Sequence, residues 1–300
     1  MRIILSEYTG LQWSFFFFFY CFVGWIWECS YCSVRAKKPI NRGFMRGPVI
    51  PIYGCGAITM LIAAAPFKDN LLLTFLSGMV LASILEYCTG AAMEAIFKVK
   101  YWDYSDRRFN LNGHICLYAS CGWGFATILM TKLVHKPIAR LSLMIPDNIM
   151  RTGIMVVTMI FVADYTISFK TAWDIRDALI KLSAIKEEIE RLQKRIDVVI
   201  AFAEEDRELL LEKGHELIND KIQLIENRIA YAKDKLDLSD EIRQEISEIR
   251  LHAGIMKDRF EQIFERKDYF KRSIIKGNPF MVSVKFKEGL EEIKERVIRK

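Results

Sequence analysis

The strongest constraint on this chain is a set of apolar stretches long enough to cross a lipid bilayer. A spanning helix needs about 20 mostly apolar residues. Five stretches approach or exceed that length: residues 11–34, 48–65, 71–97, 113–134 and 149–169. They predict an all-α protein, with a polytopic membrane helix bundle of about five spans over residues 1–169. The first stretch is too long for a cleavable signal peptide. Only Arg2 precedes it as a basic residue, and no small-residue cleavage site follows.

Charge divides the chain at the same place. Residues 1–169 hold 15 Lys+Arg and 9 Asp+Glu, whereas residues 170–300 hold 28 of each sign. The net charge of +6 therefore belongs to the apolar part. This pattern excludes a single uniform soluble globule. It argues against a nucleic-acid partner, which calls for a strongly basic domain. The seven cysteines all precede residue 170. An odd count scattered through apolar helices argues against a disulfide scaffold.

The loops set an expected orientation. Arg35, Lys37, Lys38, Arg42 and Arg46 follow the first stretch, and Lys98, Lys100, Arg107 and Arg108 follow the third. The positive-inside bias places these loops in the cytoplasm. The N-terminus is then outside and the C-terminal part inside, in a multi-pass protein of the cytoplasmic membrane.

Beyond residue 170 the apolar period changes. Leu182, Ile185, Ile189, Leu192, Ile196 and Val199 alternate in steps of three and four. Leu211, His215, Ile218, Ile222, Ile225, Ile229, Ala232 and Leu236 form a second frame. Ile242, Ile246, Ile249, Ala253, Met256, Phe260 and Ile263 form a third. Such seams predict a cytoplasmic coiled-coil or helical-bundle extension over 170–272. The seams pair either within one chain or between copies, the latter giving a homo-oligomer through 180–270. The frame slips between about 203 and 211, just before Gly214, which reads either as a turn or as a skip in a long helix; breaks are expected at Leu238-Ser239-Asp240 and at Gly277-Asn278-Pro279. A basic amphipathic tail over 273–300 follows, with a short helix from about 284 to 298.

Acidic side chains inside spans are rare and are functional candidates by default. Glu28, Glu86, Glu94 and Asp164 qualify. Glu86 lies twelve residues before Lys98, about 18 Å along a helix. Glu86, Gly90 and Glu94 share one helix face, as do Gly24 and Glu28. Glycine beside a carboxylate permits close helix approach, so these faces are expected to look inward.

Two loops suggest an anion site. In one, Arg42 and Arg46 precede Pro48, which suits the first position of a helix. In the other, Asp103 and Asn110 precede Asn112, a good N-cap for the fourth span, and His114. Arg42, Arg46, Asp103, Asn110, Asn112 and His114 are the candidates for binding a phosphate, carboxylate or lipid headgroup. The alternative is that they only cap helices. Cys29 and Cys32 form a lone CxxC and read as core residues, so no metal site is expected. The Phe15–Phe19 run is expected to face lipid. There is no GxxxxGK[ST], GxSxG or HExxH, and no cofactor is expected.

Several stretches are distinctive: GWIWECSY at 24–31, NRGFMRGPVIPIYGCG at 41–56, LEYCTGAAME at 85–94, YWDYS at 101–105, and FNLNGHICL at 109–117 with WG at 123–124. In these the chain resembles the ABC-transporter permease family of the CmpB type, called type IV. The ending NPFMVSVKFKEGLEEIK is similar to that family's ending. His114 and Tyr101 stand where the family more often has arginine and tryptophan. The resemblance implies a bacterial-type protein of the cytoplasmic membrane with a permease label. Five spans are too few for a complete permease pair, so a dimer or another permease subunit would be needed. A separate ATPase would dock on the cytoplasmic loops or the helical extension.

Three functions follow as expectations. A permease-like subunit would line a polar path with Glu28, Glu86, Glu94 and Asp164. A membrane-anchored scaffold or sensor would act through 180–270. A lipid-headgroup-modifying enzyme would use Glu94 or Asp103 as base and Arg42 and Arg46 to hold phosphate.

Overall fold

The computed structural model describes residues 7–203, 218–235, 240–264 and 269–299. These residues are helical apart from their connections and one small hairpin. In chain order the elements are α1 (Gly10–Ala36), α2 (Pro51–Ala64, then a 3-10 turn Ala65–Phe67), α3 (Leu71–Phe97), β1 (Asn110–Leu111) and β2 (Ile115–Cys116). Next come α4 (Leu117–Leu129), a π-turn (Met130–Val134), α5 (His135–Met144), α6 (Asp147–Ala203), α7 (Ile218–Lys235), α8 (Asp240–Phe264), α9 (Tyr269–Gly277) and α10 (Lys287–Arg299).

Four helical stretches are long and apolar enough to cross a membrane: Gly10–Ala36, Leu71–Phe97, Leu117–Met144 and Asp147–Val198. The chain is a multi-pass helical membrane protein. Leu72, Val80 and Ile84 on α3, and Met155, Val156, Met159 and Ile160 on α6, are exposed, as a surface against lipid requires. Phe16 in the phenylalanine run departs from expectation. It is fully buried beside His135, with ring centroids 4.7 Å apart.

The expected second span is the element that differs most. Its helix begins at Pro51, with Pro51 at the first position, and not at Pro48. The apolar helix Pro51–Phe67 is shorter than the other four. At 1.5 Å per residue it reaches about 25 Å. The physical reason lies in the preceding segment, which runs back along α1. Ile40 N donates to Ser33 Oγ at 2.9 Å, Arg42 N to Cys29 Sγ at 3.1 Å, and Ile50 N to Cys21 O at 3.1 Å. From Ser33 back to Cys21 is about 18 Å of helix. Non-helical chain thus occupies length that a fifth full span would have needed. Non-helical backbone of this kind is tolerated at membrane depth only where protein or a cavity covers it.

The fourth span also starts later than its sequence suggests. Asn112 does not cap it, because α4 begins at Leu117 after Cys116. Asn112 and Gly113 instead form the centre of a tight turn, with φ of 53° and 72°. His114 N donates to Leu111 O at 3.0 Å across that turn. Positive φ at both central residues is the hairpin geometry that Asn-Gly favours. The hairpin pairs Asn110 with Cys116 and Leu111 with Ile115, antiparallel.

Contacts divide the chain into two compact units. One comprises Met1–Trp173 with Phe270–Val282, and the other Asp174–Tyr269 with Ser283–Lys300. In the first unit, residues from the chain's end join the bundle by a two-bond bridge. Lys100 N donates to Val282 O at 2.8 Å, and Val282 N to Lys100 O at 3.0 Å.

In the second unit the seams face one another within the chain. Leu182, Ile189 and Ile196 of α6, Ile222 and Ile225 of α7, and Ile246, Ile249 and Phe260 of α8 are buried. Glu190 pairs with Lys221, and Asp197 with Arg228, seven residues further on in both helices. The α6 and α7 helices therefore run in the same direction. Arg195 pairs with Glu245 and Glu188 with Arg259, so α8 runs against α6. The pairs exposed on both sides, Arg195–Glu245 and Glu188–Arg259, contribute little stability, about 0–1 kcal/mol each. Leu211, His215 and Gly214 lie outside the described residues. The stability of this unit rests on its seam. Leu182→Ala is expected to cost about 3 kcal/mol, a buried leucine's transfer term plus its cavity. Exposed Leu251→Ala should cost under about 0.5 kcal/mol. Denaturant titration of the two variants, followed by helical circular dichroism, checks the contrast.

Candidate functional site

Two non-helical segments fold back against α1 and α3, and the polar residues meet between them. On α1, Glu28 accepts from the Tyr53 hydroxyl at 2.6 Å and lies 3.5 Å from Arg42 Nε. Gly24 is one turn away. A Cβ there would collide with the Tyr53 ring, so only glycine lets that ring lie against α1.

Arg42 is 7% exposed and joins three segments. Besides Glu28, it donates through Nη1 to Asn278 Oδ1 at 2.8 Å and through Nη2 to Tyr101 O at 2.6 Å. Asn278 follows the end of α9 and donates in turn to Gly43 O at 2.9 Å. Bonds from a charged donor to oriented acceptors are the strong ones.

On α3, the hairpin loop lies along the acidic face in register. Tyr104 donates to Glu86 Oε1 at 3.2 Å, and Trp123 Nε1 of α4 donates to Glu86 Oε2 at 2.7 Å. One turn along, a Cβ on Gly90 would stand 3.0 Å from His114 Nδ1 and 3.2 Å from the Trp102 ring. One turn further, His114 Nε2 lies 3.2 Å from Glu94 Oε2. The face shared by Glu86, Gly90 and Glu94 thus looks inward, toward the hairpin loop. Burial, then the Glu86 carboxylate, and more weakly Glu28, push the Tyr104 hydroxyl well above its ordinary value. Tyr104 therefore remains a donor throughout the physiological range.

Asp164 of α6 caps backbone. It accepts from Gly47 N at 2.8 Å and Arg46 N at 3.1 Å. Asp103 accepts from Ser105 Oγ at 2.6 Å and lies 3.6 Å from buried Lys100. Asn110 Nδ2 donates to Arg107 O at 2.7 Å, and Asn112 Nδ2 to the Tyr87 hydroxyl at 3.0 Å. The structure thus brings Glu28 to Arg42, Glu94 to His114, and Asp164 to the backbone at Arg46. Glu86 differs from these three acids: it is 6% exposed and is bonded by two uncharged side-chain donors. Among the described residues, no group of three His, Cys, Asp or Glu side chains is placed to hold a metal ion.

A family model described as "Putative ABC-transporter type IV" matches residues 15–169. That is just over half of the 300 residues. The chain belongs to this family. The type IV match takes in Glu28, Arg42, Tyr53, Glu86, Tyr104, Trp123 and Asp164, while Asn278 lies outside it. Comparison with curated proteins finds no match, and neither does comparison with solved structures.

Four polar partners were not among the sequence candidates: Tyr53, Tyr104, Trp123 and Asn278. Tyrosine and tryptophan in an apolar stretch read as core or interface residues. Asn278 reads only as part of a break, since Gly-Asn-Pro punctuates helices. The available signal was the dense aromatic–polar run Tyr101-Trp102-Asp103-Tyr104-Ser105 next to an acidic helix face.

Proposed function

We propose that this chain is the membrane subunit of a transporter in which a separate ATPase supplies the energy. The single observation that carries this reading is Glu86. It sits well inside α3, eleven residues before the helix ends at Phe97, about 16 Å along the axis. Its partners are the Tyr104 hydroxyl and the Trp123 indole. An intramembrane carboxylate held by neutral donors suits a site that takes up a cation, a proton or a cationic group in turn. Glu28 and Tyr53 extend the polar line toward Arg42. Glu94 and Asp164 keep the hairpin and the 40–50 segment in place beside it.

Re-entrant non-helical backbone next to an acidic line is also how transporters build sites within a bundle. The orientation proposed is N-terminus outside, with the basic loops and the charged C-terminal half in the cytoplasm. The ATPase would then dock on those loops or on the helices beyond residue 174. The chain itself carries no P-loop. A headgroup-modifying enzyme has less support, because Arg42 directs its donors to Glu28, Tyr101 and Asn278.

Gentle extraction of the tagged chain from its native membrane, followed by mass spectrometry, tests the reading. A P-loop ATPase should co-purify in fixed ratio, and Glu86→Gln should leave that ratio unchanged while lowering transport-coupled ATP hydrolysis. Purification without any ATPase under conditions that retain bound lipid would overturn it.

A further inference from the structure

We propose that the hairpin between α3 and α4 is a membrane anchor, whose exposed rings insert among the lipid headgroups and the upper acyl chains. Its partner is the bilayer interface itself. The inference does not depend on the transport reading, nor on which side of the membrane the hairpin lies.

The first observation is a cluster of exposed apolar side chains. Phe109 is 81% exposed and Tyr118 83%. Leu111 and Leu117 are exposed as well. Phe109 O accepts from Leu117 N at 3.1 Å, so the entry to β1 and the first turn of α4 are neighbours. Clustered apolar exposure marks a surface that meets a partner. The backbone adds a second observation. Phe109 has φ of 55°, in the left-handed region. A bulky residue adopts that conformation rarely. It persists only where the surrounding structure holds it, and such positions gather at functional places.

Continuity identifies the partner as lipid. Tyr118, Phe125 and Leu129, in steps of seven and four, share one face of α4 and are all exposed. That face belongs to a helical stretch able to cross the membrane. The hairpin patch prolongs it past the first residue of the helix. Depth agrees. Ser120 meets Ser83 at 2.7 Å and Thr127 stands against Gly78, so α4 runs antiparallel to α3. Leu117 is then level with about Glu86. Counted from Leu71, the roughly 20 residues that cross hydrocarbon end near Gly90. Leu117 and Phe109 therefore stand about one turn inside the boundary, where exposed aromatic rings gather in membrane proteins.

Charge fits the same place. Arg107 and Arg108 are exposed beside Phe109, against the single acid Asp106, so the loop 104–112 is net basic. Arginine can lay its stem along apolar surface and hold its guanidinium among phosphates. The hairpin also gains from the contact. Its strands are two residues each, and a lone two-stranded hairpin is marginal in water.

The test uses the full chain in nanodiscs of phosphatidylcholine and phosphatidylglycerol. Trifluoromethyl-phenylalanine replaces Phe109 in one sample and Tyr118 in another, a change small enough to keep the fold. Its fluorine signal is read with two paramagnetic probes, a lipid with a nitroxide high on its acyl chain and a water-soluble gadolinium chelate. The same analogue at Phe125 gives the lipid reference, and at exposed Leu251 of α8 the water reference. The expected result at 109 and 118 is loss of signal to the nitroxide lipid as at 125, and a much smaller loss to the chelate than at 251. Loss to the chelate as at 251, with none to the nitroxide lipid, would overturn the proposal. If that water-exposed signal became shielded from both probes when a co-purifying ATPase is retained, the patch would be a protein-docking surface and the lipid assignment would fall.

Discussion

Arg42→Ala is expected to destabilise the membrane unit by about 3–5 kcal/mol, the range for breaking a buried ion pair by removing one partner. The guanidinium is buried, and its loss strands Tyr101 O and Asn278 Oδ1 and leaves Glu28 beside an empty space. Glu28 keeps the Tyr53 hydroxyl at 2.6 Å and some access to solvent, so the lower end of the range is the better expectation. Reversible SDS titration in mixed micelles measures the loss. The double variant Arg42→Ala/Glu28→Gln should cost less than the sum of the single changes, because each removes the other's reason for being charged. Additive costs would mean that Arg42 acts through Asn278 and Tyr101 alone.

The second large effect concerns the approach of α2 to α1. A Cβ on Gly54 would stand 2.5 Å from Cys21 Sγ and 2.6 Å from the Phe17 carbonyl oxygen. The second of these is backbone and has no rotamer to yield. Gly54→Val is therefore expected to cost about 3 kcal/mol or more, at the upper end for overpacking. It should also pull Ile50 N away from Cys21 O and Tyr53 away from Glu28, since both flank the same contact. Gly56 is the internal control. A Cβ there meets nothing within 4 Å, so Gly56→Ala should be neutral or stabilise the helix by about 0.5–1 kcal/mol. Thermal aggregation of the detergent-solubilised variants ranks them. Equal behaviour of Gly54→Val and Gly56→Ala would refute the close packing of these two helices.

Much of this architecture was legible in the residues. Hydrocarbon imposes a length and a composition, so Leu71–Phe97 is readable to the residue and Gly10–Ala36 nearly so. Helical period alone put Glu86, Gly90 and Glu94 on one face and Gly24 with Glu28 on another. The structure sets the hairpin loop against the first face and Tyr53 against the second. The steps of three and four beyond residue 180 likewise marked the side chains that are buried on α6, α7 and α8.

What the sequence determined by itself was local: which stretches are helical and apolar, which faces carry acid, and which family the chain belongs to. Only tertiary structure decided that residues 40–50 run back along α1 as bent, non-helical chain. An apolar, proline-bounded stretch reads as a span whether or not its neighbours shorten it. The same holds for Asn112-Gly113, whose residues suit a helix cap and a hairpin turn equally. Pairing of Asn110 with Cys116 selects the turn. It holds most clearly for Arg42 and Asn278, 236 positions apart and joined at 2.8 Å. No local rule encodes such a contact. A buried guanidinium needs acceptors, and the folded chain supplies them from whichever segments packing brings within reach.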